Sequence, residues 1–243
     1  MTHSNTSIGV IARQMRALLL PVLTVAALTS LAARPGHAQP VSVTGRVSMI
    51  EKSSDAPNDL GNTVIYLISL DSASPALPTV AATIAMNGRA FVPRLQVVTP
   101  GSRVAFPNQD PFSHNIFSTT PGAAFDLGLY PLGKSKETRF RRTGAFPIYC
   151  NIHPRMTAFV VVAPTPWYTQ AGNDGRWSLE GVPAGRYSLH VWHERAPESK
   201  AEIRIPAAGL TGLATQLDAR GFRFAQHMNK FGKQYDKTGK DRY

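Results

Sequence analysis

The chain contains one cysteine, Cys150. No intramolecular disulfide can form, and any zinc site needing two or more cysteine ligands is excluded. Acidic residues are scarce as well: 15 Asp and Glu face 26 Lys and Arg, a formal charge of +11. There is no Gly-rich phosphate loop, no nucleophile elbow and no helix-turn-helix pattern, and basic charge without such a motif does not make a nucleic-acid binder. Long amphipathic helices, heptads and periodic glycine are also missing, which removes coiled coil and collagen.

What remains is a chain of 243 residues, 43% hydrophobic, with 19 Gly and 19 Pro spread along it. That is enough apolar material for one or two cores. About a dozen short β-rich runs are separated by turn formers, among them Val41–Val47, Thr63–Leu70, Thr79–Met86, Ser102–Pro107, Ala145–Cys150, Thr157–Val162 and Arg186–Trp192. Short strands at this spacing predict an all-β protein of the sandwich or barrel type, and their number exceeds one small sandwich. The clearest seam is Ala163-Pro164-Thr165-Pro166, where proline removes ladder donors.

Arg13 and Arg16 precede an uncharged run from Ala17 to Ala33, and Gly36 and Ala38 are small residues at the two positions a signal peptidase reads. The pattern predicts a secretory signal over residues 1–38, cleaved after Ala38, and a periplasmic protein. The alternative is a membrane anchor, for which 17 apolar residues lie at the lower edge of a span. Cleavage would remove three basic residues and leave 23 against 15 acidic ones, so the basic character persists. In an oxidising compartment a lone thiol is protected either by burial or as a metal thiolate.

Cys150-Asn151-Ile152-His153-Pro154-Arg155-Met156 sets a thiol, an imidazole and a thioether at three-residue steps. Alternation places Phe146, Ile148 and Cys150 on one strand face, so the sulfur comes from the buried side. A tight loop can then turn His153 and Met156 back towards it. A soft thiolate, imidazole and a weak thioether are donors that copper accepts, and His114, in a Pro-rich loop after a strand, is the candidate second imidazole. Taken singly, each residue has a plainer role as buried thiol, loop histidine or core filler. The joint pattern carries the copper reading. His190 and His193 are not read as a second metal site, because their odd spacing puts them on opposite strand faces.

His114-Asn115 followed by Cys150-x-x-His153-x-x-Met156 resembles the cupredoxin family, with the short ligand loop of amicyanin. The similarity extends through Val97-Val98-Thr99-Pro100-Gly101-Ser102 and Val104-Ala105-Phe106-Pro107-Asn108, about residues 79 to 163. The resemblance implies a Greek-key sandwich with one mononuclear type 1 copper, held by His114 and His153 as nitrogen ligands, Cys150 as thiolate and Met156 as axial ligand. It implies that Asn115 ties the two ligand loops together. It also implies that His153 is partly exposed, ringed by Pro154, Phe112 and Pro111. The segment Phe125–Tyr130 has no clear amicyanin counterpart, and methylamine dehydrogenase is only one conceivable partner.

Asp174-Gly175-Arg176-Trp177 through Tyr187-Ser188-Leu189 resembles the carboxypeptidase regulatory-like, transthyretin-like sandwich. Its opening strands match Val43–Val47 and Thr63–Leu67, which lie before the cupredoxin segment. The expected organisation is therefore a signal over 1–38, sandwich strands in 39–78, the cupredoxin in 79–164, the remaining sandwich strands in 165–208 and a basic tail over 209–243. A linear order, with 41–72 adding strands to the cupredoxin, is the alternative. The tail carries seven Lys or Arg interleaved with Phe222, Phe224, Phe231 and Tyr235. It is read as solvated with aromatics tucked onto the body, in preference to a docking arm for an acidic partner or an anionic membrane surface.

The function expected is a periplasmic one-electron carrier between an unidentified redox donor and acceptor, with no enzymatic activity of its own and no nucleic-acid partner. Two other classes remain open: a copper chaperone or storage protein, and an interaction module without redox use.

Overall fold

The structure is a computed structural model that describes residues 1, 40–52 and 58–235; the expected signal over 1–38, Met1 apart, lies outside the described residues. Their regular elements are seventeen strands and one three-residue 3-10 helix, Leu60–Asn62. No helix among them is long and apolar enough to cross a membrane. In chain order the first strands are β1 (Val41–Ile50) and β2 (Val64–Ser69). Then come β3 (Ala81–Thr83), β4 (Ala85–Asn87), β5 (Ala90–Val92), β6 (Leu95–Val98), β7 (Ser102–Pro107), β8 (His114–Ser118), β9 (Phe125–Tyr130), β10 (Ser135–Phe140), β11 (Gly144–Cys150) and β12 (Thr157–Val162). The last are β13 (Tyr168–Gln170), β14 (Arg176–Val182), β15 (Gly185–His193), β16 (Ala196–Ile205) and β17 (Leu210–Asp218).

The strands before β3 find their partners after β12. β1 lies between β14 and β17, and β2 lies between β13 and β15, with β16 outside β15. These two sheets share a core that includes Val43, Val47, Ile65, Leu67, Trp177, Leu179, Leu189 and Leu217. Burying each such side chain contributes roughly 1.5–3 kcal/mol. Gly45 is required where β1 crosses Trp177, because a Cβ there would stand 2.5 Å from the indole and 2.5 Å from the Leu213 carbonyl oxygen.

Residues 81–162 build two further sheets, β10-β7-β3 and β6-β12-β11-β8-β9, with β4 and β5 as a separate hairpin. Ile84, Met86, Phe106, Ile116, Phe146, Ile148 and Val160 form their common core. A third cluster, Val64, Leu95, Val97, Val161 and Ala163, is flanked by Tyr66, Phe159 and Trp192. It therefore joins side chains of β2 and β15 to those of β6 and β12. Beside it the Arg94 guanidinium grips Glu194 at both oxygens, at 2.8 and 2.7 Å.

Three elements depart from expectation. Thr79–Met86 is two strands, because the chain changes partner at Ile84: β3 joins β7, whereas β4 turns back onto β5. Phe125–Tyr130 is a strand that extends the sheet beside β8. Leu210–Asp218, expected within the basic tail, runs parallel to β1. Its stretch Leu210–Leu217 holds no charge, and the basic residues begin at Arg220.

Candidate metal centre

The sheet register brings the site together. β11 ends at Cys150, and there Tyr149 and Cys150 pair with Phe117 and Ile116 of β8. His114 opens β8 two residues before Ile116 and so arrives at the same end of the ladder. The Asn151 N–H donates to the Asn115 carbonyl at 2.8 Å, locking the two strand ends to each other. The loop after Cys150 is short and closed by its own backbone: Met156 N–H donates to His153 O at 3.0 Å, and Cys150 N–H to Met156 O at 3.3 Å.

In this frame Cys150 Sγ lies 3.5 Å from His114 Nδ1 and 3.5 Å from His153 Nδ1. One donor atom from each of the three residues falls within 4.8 Å of the others. The side chains are buried, with exposures of 0% for His114 and Cys150 and 5% for His153. Met156, 2% exposed, belongs to the same apolar cluster as Cys150. Phe112 closes over the histidines, its ring 5.2 Å from that of His114 and 5.5 Å from that of His153. His153 is thus more enclosed than the partly exposed ligand that the family resemblance implies.

Asp110 carries no signal in the sequence, yet it orients the site. Its Oδ2 lies 2.8 Å from His114 Nε2. With the proton held on Nε2 towards the carboxylate, the Nδ1 lone pair faces the sulfur. The same carboxylate accepts the Gly88 N–H at 2.6 Å and the Arg89 N–H at 3.0 Å, where both residues have positive φ, 64° and 59°. An arginine in that region is strained by about 1–2 kcal/mol, and the carboxylate offsets the strain while fixing the β4–β5 turn against the ligand loop. Burial opposes ionisation of Asp110, but the Arg89 N–H, the His114 ring and the Gly88 N–H together hold its pKa below the ordinary value. Burial pushes the His114 pKa down, against the pull of Asp110, so the imidazole is neutral and its lone pair available.

Burial also pushes the Cys150 thiol up, opposed by backbone N–H groups of Ile152, Asn115 and His153 aimed at the sulfur. Those N–H groups favour a thiolate, and a bound cation would complete its stabilisation. One soft sulfur and two neutral imidazoles, converging in an apolar shell, fit a copper ion well. The cluster is compatible with a metal site.

No family model and no curated protein matches the chain. Solved structures similar to part of the chain include cupredoxins. A purple cupredoxin from Nitrosopumilus maritimus is 24% identical over 34% of this chain and 99% of its own, with a TM-score of 0.31. Amicyanin from Paracoccus versutus is 19% identical over 36% of this chain and 85% of its own, with a TM-score of 0.33. A reduced amicyanin variant is 18% identical over 40% of this chain and 99% of its own, also at 0.33.

Asn115 sits beside His114 as expected, but its side chain is turned elsewhere. Its Nδ2 donates to Asp126 Oδ1 at 2.5 Å, and the tie between the two ligand loops runs through its main chain. His190 and His193 engage protein groups: His190 stacks on Tyr66 and meets Glu198 at 3.1 Å, while His193 accepts the Arg195 N–H at 3.1 Å. Asp126 and Lys230 surround the ligand strand with no signal in the sequence, and Tyr235, one of the tail aromatics expected to tuck onto the body, does so against Cys150. A charge distant along the chain carries no local signal of its partner, so only the tertiary structure reveals the Lys230–Asp126 pair.

Proposed function

We propose that this protein carries one electron at a time between redox partners, through a single mononuclear type 1 copper. The observation behind the reading is the approach of two imidazole Nδ1 atoms to one buried cysteine sulfur, each at 3.5 Å. Copper bound there would supply a Cu(I)/Cu(II) couple. His114, Cys150 and His153 would hold it, with Met156 as the weak fourth donor. The chain's own part is to keep those donors still: Asp110 orients His114, the backbone N–H groups prepare the sulfur, and the apolar shell excludes water. Small rearrangement between oxidation states favours rapid transfer. With four residues as donors, no position is left for a substrate, so the protein is proposed as a carrier and not as an enzyme.

The rest of the chain fits a scaffold. We propose that residues 39–78 and 165–208, joined by β17, form one sandwich interrupted by residues 79–164. The pairing of β1 with β14 and of β2 with β15 supports this. The signal pattern in 1–38 supports export to the periplasm, where acidic redox proteins would suit the basic surface.

The deciding measurement is the visible spectrum of the mature chain after adding Cu(II), repeated for Cys150→Ser. An intense band that bleaches reversibly on reduction and disappears with the thiol is expected. Tight but colourless binding would favour copper handling as cargo, and no binding would leave an interaction module.

A further inference from the structure

The segment after β17, read from its composition as a solvated tail with aromatics tucked onto the body, returns to the strand that carries Cys150. It grips three consecutive residues there. The His227 ring stacks on Tyr149 at 4.4 Å and 23°. The Tyr235 hydroxyl donates to the Cys150 carbonyl oxygen at 3.0 Å. The Lys230 N–H donates to Asn151 Oδ1 at 2.9 Å.

The grip also reaches the other ligand loop. Lys230 Nζ meets Asp126 Oδ2 at 2.6 Å, and the second oxygen of Asp126 holds the side chain of Asn115, next to His114. The segment presents these groups on a built turn: Asn229 Oδ1 accepts the Phe231 and Lys233 N–H groups, both at 3.0 Å, and Gly232 supplies the positive φ of 72°. The His227 ring in turn stands edge-on to Tyr235 at 5.4 Å. Tucked aromatics alone would not bring the Lys230 ion pair, its backbone bond to Asn151 and the Asn229 turn with them.

We propose that residues 219–235 are a clasp, with Lys230, Tyr235 and His227 as positioning residues that hold the Cys150 strand against the His114 loop and retard loss of the metal. The inference rests on the copper reading above. Its physical basis is that a ligand strand pinned from outside must open before the sulfur can leave the ion. Removing any of the pins lowers the free energy of that opening and makes it more frequent. None of the three residues supplies a donor atom to the site. Their effect is therefore on rate of exchange and on the order of the strand, not on the identity of the ligands.

The test uses the full mature chain and the Lys230→Ala/Tyr235→Phe double variant. The first readout is transfer of copper to an excess of a Cu(I) chelator. The second is amide hydrogen exchange at Cys150 and Asn151 in the metal-free protein. Without the ion pair to Asp126 and the hydrogen bond to the Cys150 carbonyl, transfer should speed up about tenfold and exchange should rise at both amides, while the melting temperature of the metal-free chain should fall by only about 2–4 °C. Lys233→Ala removes equal charge without touching Asp126 and should leave both readouts as in the parent, and Lys230→Arg in place of Lys230→Ala should restore most of the retardation. Unchanged transfer and unchanged exchange in the double variant would overturn the clasp. A parent chain that takes up no copper would overturn the copper reading instead, and amide exchange alone would then decide whether the segment holds the strand.

Discussion

Asp110 and His114 are joined by a 2.8 Å contact between Oδ2 and Nε2 that turns the other ring nitrogen towards Cys150 Sγ. An aspartate four residues before the histidine thereby sets the imidazole tautomer and its orientation.

Asp110→Asn tests that link. The amide keeps one acceptor for the β4–β5 turn but offers His114 no charged partner. Copper affinity should fall about 10–100-fold, as is usual when the partner of a metal-bound histidine is removed. Competition with a chelator of known affinity measures it. Affinity equal to the parent's would show that the ring is held by packing against Phe112 alone.

Met156 separates packing from metal chemistry. Met156→Leu conserves volume, so the metal-free chain should lose less than about 1.5 kcal/mol. If copper binds as proposed, its blue colour should persist while the reduction potential rises, because the weak sulfur donor favours Cu(II) and leucine does not. An unchanged potential would remove Met156 from the donor set.

Arg94 and Glu194 link the β5–β6 region to the end of β15, with side-chain exposures of 39% and 10%. A pair so placed lies between exposed and buried cases, so a double-mutant cycle should give a coupling of roughly 1–3 kcal/mol. The cycle needs Arg94→Ala, Glu194→Ala and the double variant in urea. Additive losses would show that the cluster around Val97, Val161 and Trp192 holds the two parts without this pair.

His193 predicts a pH dependence. Burial pushes its pKa below the ordinary 6.5, against the raising effect of Asp59. Its neutral ring accepts the Arg195 N–H, a role that a protonated ring cannot fill. The unfolded chain then binds a proton more readily than the folded one as pH falls below 6.5. Stability should fall with it, by up to about 1.4 kcal/mol per pH unit from this residue. Urea midpoints at pH 7.5 and 5.5 should differ more for the parent than for His193→Gln, and equal differences would place the acid sensitivity elsewhere.

Much of the fold is legible locally. Ser102–Pro107 and Thr157–Val162 are strands with the bounds that their β-rich runs predict. β17 is not, because its apolar residues are few and the cluster of basic residues from Arg220 onward masks a strand signal that is already weak. Three donors are legible too, since Cys150 and His153 share one loop and His114 lies in a Pro-rich loop after a strand. The structure brings these three together.

Residue chemistry and local periodicity belong to the sequence itself: one thiol, two imidazoles and a thioether at strand ends, in a chain of short strands. Both are properties of neighbours along the chain, and a period of two or a three-residue step is visible there. Only the tertiary structure decided that Asp110 faces His114, that the Asn115 side chain turns to Asp126, and that Tyr235 reaches the Cys150 carbonyl. These contacts depend on strand register, and a shift of one residue would turn every side chain of β8 or β11 to the opposite face. Lys230 and Asp126, 104 positions apart, meet because the segment after β17 folds back beside β9.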